Sequence, residues 1–284
     1  MKLKVLIKAF AIAAACFSAI LPCEARTKQI KKSNRTGIVA HRGFWNCEEA
    51  GYARNSVAAL KCAQDNHFWG SEFDVNMTAD SVLIVFHDSF IDGKRIEDYP
   101  YSEFADFKLA NGECIPTIDQ YLEQGRKDPR TTLVYELKPH SSPEVEDLFI
   151  ELTISKLKEY RLLKPRRVIF ISFSYHICKR LAELLPEFTV QYLNGDKAPE
   201  AVYEDGINGI DYYFSIFQTH PEWRAQASEL GMSTNAWTVN HEKDMRSMID
   251  MQVMYITTDN PLQLREVLRK SEHREAGNGA KNSW

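Results

Sequence analysis

From residue 36 onward the chain repeats one pattern eight times, a short β-type run followed by a helical one. The β-type runs start near residues 37, 70, 131, 167, 188, 209, 233 and 253, and include GIVAHRG, GSEFDVNMT, TTLVYELKP and RVIFISFS. Between them lie helical patterns such as NSVAALKCAQDNH, capped near Asn55 or Ser56, and TIDQYLEQGR, capped by Thr117. Eight strand-then-helix units predict a single-domain α/β fold, a (β/α)8 TIM barrel, whose usual length is ~250 residues. No stretch rich in Gly, Pro or Ser interrupts residues 37–272, so the barrel is expected to fill them. SVLIVFHD (81–88) reads as an extra short strand after the second, and residues 273–284 as a disordered tail.

The N-terminus reads differently. Lys2, Lys4 and Lys8 flank an apolar run too short to span a bilayer, and a small-residue cleavage site follows Ala25. Residues 1–25 therefore predict a signal peptide, residues 26–36 a linker, and the mature chain an exported protein, periplasmic or secreted, with no stable membrane span after cleavage. Lipoprotein anchoring through Cys23 ranks second, because Pro22 stands where a small residue is expected. A net charge of −4 and a pI near 6.1 leave no electrostatic footprint for nucleic acid. Beyond the leader lie Cys47, Cys62, Cys114 and Cys178, which match no zinc spacing. Their three disulfide connectivities cannot be told apart by sequence. Cys62 and Cys178 fall in helical patterns, which suits small buried hydrophobes equally well.

In a barrel of this kind chemistry gathers at the C-terminal ends of the strands. His41 and Arg42 fall at the first such end, Glu72 and Asp74 at the second, His87 and Asp88 at the end of its extra strand, Glu136 and Lys138 at the third. A strand has period two, so Glu72 and Asp74 share a face, as do Glu136 and Lys138. A lone Glu-x-Asp is usually a solvated face and a lone His usually structural. Three carboxylates at one rim, however, point to a hard divalent cation with oxygen ligands, Ca²⁺ or Mg²⁺. Two histidines beside it, with Arg42 and Lys138 for non-bridging oxygens, suit acid/base chemistry on an anionic phosphorus centre. Asp259, ahead of Asn260-Pro261, reads as a cap of the last helix. Trp237 reads either as barrel core or as an apolar pocket wall.

These segments, HRG (41–43), SEFDVNMTADSVLIVFHD (71–88), IPTIDQYL (115–122), LVYELKP (133–139), ISFS (171–174), AWTVN (236–240) and ITTDNP (256–261), resemble the ordered motif set of the glycerophosphodiester phosphodiesterase family. The resemblance implies a barrel hydrolase that cleaves small glycerophosphodiesters to glycerol 3-phosphate and an alcohol with a divalent metal. It implies Glu72, Asp74 and Glu136 as metal ligands, His41 and His87 as the acid/base pair with the acid and the base not told apart, and Arg42 and Lys138 on the phosphate. ARNS (53–56) departs from the family's usual Pro-Glu-Asn-Thr, so Arg54 replaces a carboxylate and becomes, with Trp237, a candidate pocket residue. The rivals are a phosphodiesterase resembling phosphatidylinositol-specific phospholipase C or sphingomyelinase D, and a non-catalytic phosphodiester-binding protein.

Overall fold

The computed structural model describes residues 36–279, and the leader and Cys23 lie outside them. The strands are β1 (Gly37–Ala40), β2 (Gly70–Met77), β3 (Leu83–Val85), β4 (Phe90–Ile91), β5 (Lys94–Arg95), β6 (Thr132–Leu137), β7 (Val168–Ser172), β8 (Thr189–Tyr192), β9 (Gly209–Tyr213), β10 (Ser233–Trp237) and β11 (Tyr255–Thr258). Eight of them close a parallel barrel in the order β1-β2-β6-β7-β8-β9-β10-β11, with β11 returning to β1. β3 is the extra strand, antiparallel on β2 with Val75 opposite Val85. β4 and β5 form a separate hairpin.

Helices α1 (Val57–Asp65), α2 (Ile118–Gly125), α3 (Pro143–Glu159), α4 (Tyr175–Leu184), α5 (Pro199–Glu204), α6 (Phe214–Thr219), α7 (Pro221–Glu229), α8 (Glu242–Asp250) and α9 (Pro261–Gly279) make the outer layer. Local chemistry sets their starts. Ser56 caps α1 by accepting from the Ala59 amide, and Thr117 and Gln120 close a reciprocal capping box on α2. α9 runs on to Gly279, into the stretch expected as a tail, because the Ser-Glu-His-Arg-Glu-Ala that extends it contains no helix breaker. Among the described residues no helix is long and apolar enough to cross a membrane.

The pleat divides each strand between two environments. Phe73, Val75, Tyr135, Leu137, Phe170 and Tyr212 point outward into the main core beneath the helices. Each such side chain contributes roughly 1.5–3 kcal/mol by leaving water. The inward residues are apolar in one cluster, Val39, Val134, Ile169, Ile171 and Leu193. Elsewhere they are polar: Glu72, Asp74, Asn76 and Glu136 are all buried. A barrel whose interior ends in carboxylates has its chemistry at that end.

Candidate active site

β2 and β6 are neighbours with Asp74 directly beside Glu136 and Glu72 beside Val134. Oxygens of Glu72, Asp74 and Glu136 lie within 4.8 Å of one another, all three buried. Burial pushes the Glu72 carboxyl well up, and the charges of Asp74 and Glu136 add to the rise. Burial likewise raises Glu136, with Asp74 adding to it, to about 7. For Asp74 burial works upward too, but the positive charges of Lys138, His87 and Arg42 and a hydrogen bond from Asn55 outweigh it and hold it at about 2. Lys138 Nζ sits between two acids, 2.7 Å from Glu136 Oε1 and 3.3 Å from Asp74 Oδ1. The Glu136 contact is an ion pair without the angle of a directed hydrogen bond.

Arg42 serves the cluster twice. Its amide donates to Glu72 Oε2 at 2.6 Å, and its Nε lies 3.6 Å from Asp74 Oδ2. The amide can reach Glu72 because Arg42 takes φ 54°, a left-handed conformation that costs a non-glycine residue on the order of 1 kcal/mol. Gly43 follows at φ +77°, pressed on α1 so closely that a Cβ there would lie 2.6 Å from Ala59 Cβ. Asn55, also left-handed, clamps Asp74 from both sides: its Nδ2 donates to Oδ2 at 2.9 Å, and its Oδ1 accepts from the Asp74 amide at 3.2 Å.

Glu72 Oε1 is buried and has no hydrogen-bond partner. An acceptor oxygen beside two more carboxylates, unmet by any protein donor, is what a divalent cation with oxygen ligands would satisfy. The donor set is entirely oxygen, which suits a hard divalent cation.

The two histidines stand in different surroundings. His41 Nδ1 bonds Asp259 Oδ1 at 2.8 Å, and that oxygen also accepts from Trp45 Nε1 at 2.9 Å. Asp259 Oδ2 accepts from Asn240 Nδ2 at 2.7 Å. Burial tends to raise Asp259, but these bonds and the His41 charge hold it down at about 2. An ionised carboxylate only accepts, so Nδ1 of His41 carries a proton and donates in this bond. Asp259 is therefore not the cap expected of it. The β1–β11 register, Ala40 beside Thr258, sets it next to His41 instead. His87 is more open, 40% exposed, with Nδ1 2.6 Å from Asp88 Oδ1. Burial lowers its pKa, and the charges of Lys138 and Arg42 add to that against the pull of Asp74.

Of the candidate pocket residues, Arg54 is exposed, its guanidinium carbon 4.2 Å from the centroid of the Trp45 ring. Trp237 is half-buried, packs edge-on to Phe173 at 5.5 Å and donates from Nε1 to the Asp211 carbonyl. It packs against the apolar cluster inside the barrel. Sequence reading gave no site role to Trp45, Asn55 or Asn240. Only the Asn55 match to the family motif hinted at one.

The profile of the Glycerophosphoryl diester phosphodiesterase family matches residues 41–263. A glycerophosphodiester phosphodiesterase from Parabacteroides distasonis, known as a crystal structure, is 41% identical, superposes with a TM-score of 0.81, and is matched over 84% of this chain and 98% of its own. A glycerophosphodiester phosphodiesterase from Caldanaerobacter subterraneus is 28% identical over 83% of this chain and 99% of its own length. An Oleispira antarctica phosphodiesterase, solved with the product sn-glycerol-3-phosphate, shares the fold at 22% identity and a TM-score of 0.68, covering 83% of this chain and 97% of that one.

Proposed function

The chain belongs to the glycerophosphoryl diester phosphodiesterase family and is a phosphoric diester hydrolase of that family, and from this premise we propose that it cleaves small glycerophosphodiesters to glycerol 3-phosphate and an alcohol with His41 and His87 as its proton-transfer pair. The observation that carries this reading is the meeting of Glu72, Asp74 and Glu136 with Lys138 and Arg42 at the rim that also holds both histidines.

Glu72, Asp74 and Glu136 would hold a divalent ion, Ca²⁺ or Mg²⁺, which when bound neutralises charge developing on the phosphoryl oxygens. Lys138 and Arg42 add donors to the same anionic centre. His87, kept neutral by its lowered pKa, takes the proton of the glycerol 2-hydroxyl as that oxygen attacks phosphorus. His41, entering this step as the imidazolium with Nδ1–H held by Asp259, gives its Nε2 proton to the departing alcohol and is left neutral. The roles then reverse as water opens the cyclic phosphate. The basic and then apolar N-terminus supports export to the periplasm or the medium.

Purified protein incubated with glycerophosphocholine, glycerophosphoethanolamine and glycerophosphoinositol in the presence of each metal tests the reading. Release of glycerol 3-phosphate is the expected result. Accumulation of a cyclic phosphate alone would favour phospholipase-type chemistry, and binding without turnover would overturn the catalytic reading.

A further inference from the structure

Cys47 and Cys62 take no part in the chemistry above, yet they sit behind the loop that builds it. Cys47 precedes a short 3-10 turn (Glu48–Ala50) that packs directly on α1. Its thiol donates to the Phe44 carbonyl at 3.2 Å, while the Phe44 amide donates to the Ala59 carbonyl at 3.0 Å. Cys62 lies three residues beyond Ala59 on α1 and so shares its face. Both cysteines belong to one small cluster with Phe44, Ala50, Ala59 and Phe68, Cys62 buried and Cys47 half-buried at its edge. The remaining described cysteines are elsewhere: Cys114 is exposed, and Cys178 is buried in α4 with its thiol toward the Ser172 and Gln191 carbonyls. Burial pushes the Cys62 thiol up to about 12, and the Cys47 thiol beside it adds to the rise.

We propose that Cys47 and Cys62 are a dithiol that closes to a disulfide and clamps the loop carrying Trp45 onto α1. The oxidant is an external disulfide, small or protein-borne. Cys47, the more accessible, attacks as thiolate, forming a mixed disulfide and releasing one thiolate. Cys62 then loses its proton to solvent and attacks Cys47 Sγ, releasing the second thiolate. One protein S–S bond forms, the external one breaks, and two electrons pass to the oxidant, which leaves as two thiols. The resolving thiol is held protonated by burial, so closure accelerates as pH rises. The clamp bears on catalysis through Trp45, whose indole bonds the same Asp259 oxygen that orients His41.

The test is a peptide map of the full chain treated with oxidised glutathione, then alkylated and digested without reduction. The expected result is one linked peptide pair joining Cys47 and Cys62, lighter by two hydrogens than the separate peptides. Closing this short loop should also raise Tm by roughly 5–10 °C, reversibly with dithiothreitol. Cys47→Ser and Cys62→Ala should each abolish both the link and the Tm shift, so loss of one variant to misfolding leaves the other. Full alkylation of both cysteines after oxidation, or a link to Cys114 or Cys178, would overturn the proposal. The map reads no activity, so its outcome is independent of the phosphodiesterase reading.

Discussion

His41 and Asp259 stand 218 residues apart and are joined by a 2.8 Å hydrogen bond from Nδ1 to Oδ1. The bond crosses the seam where the last barrel strand meets the first. It fixes Nδ1 as the nitrogen facing Asp259, and on the proposed mechanism Asp259 is a positioning residue for proton transfer.

Replacing Asp259 by Asn keeps the shape but exchanges an acceptor-only carboxylate for an amide whose NH2 can face Nδ1 and select the other tautomer. Asp259→Asn should lower kcat by about 10²- to 10⁴-fold with KM changed little, the range seen when an orienting carboxylate is neutralised. Steady-state kinetics on glycerophosphoethanolamine checks this; a kcat within threefold of wild type would return Asp259 to a structural role.

Asp259 also couples stability to acid. Its folded pKa, about 2, is below the ordinary carboxylate value, so its contribution is complete above about pH 4 and is lost as pH falls toward 2. Partial exposure screens the pair, leaving on the order of 1 kcal/mol. Urea unfolding at pH 5 and pH 3 should show a smaller loss in Asp259→Asn than in wild type, because Asp74, also held at about 2, still contributes in both.

Metal should stabilise the fold as well as support turnover. A cation at a hundred times its Kd adds about 2.7 kcal/mol, equal to a Tm rise of roughly 5–10 °C for a domain of this size. EDTA should abolish both the rise and the activity. Glu72→Gln, which removes one of three mutually repelling buried carboxylates, should weaken metal binding by about 10-fold or more while leaving the metal-free protein at least as stable as wild type. Calorimetry with Ca²⁺ and Mg²⁺ decides between the ions.

On the proposed roles His87 should set the acid limb of the pH profile. As a base it must be neutral, and its pKa is displaced downward, so log kcat/KM should rise with pH through a value below about 6.5 and level off above it. His87→Ala should lose at least about 10² in kcat together with that limb. A limb that persists in the variant belongs to another group.

Arg54 offers a handle on head-group choice. Its guanidinium lies over Trp45, where a positive charge disfavours a cationic alcohol such as choline. Arg54→Glu should shift kcat/KM toward glycerophosphocholine over glycerophosphoinositol by roughly fivefold, about 1 kcal/mol for a partly exposed charge. An unchanged ratio would assign the choice to other residues.

Periodicity alone determined much of this protein. Eight alternating units specified the barrel, and the two-residue pleat placed Glu72 with Asp74 on one face, because both patterns are local and repeat within a few residues. Ser56 and Thr117 were legible as caps for the same reason. What local pattern does not carry is the register at which distant strands meet. Asp259 carries a sequence context that suits a cap, and only the closure of β11 on β1 turned it toward His41. Asn55 looked like the entrance to a helix until its left-handed backbone brought it against Asp74. The place of Lys138 between Glu136 and Asp74 is likewise set by β6 pairing in register with β2. Side-chain facing follows from the chain's own geometry, whereas hydrogen bonds between residues scores of positions apart exist only once the barrel has closed.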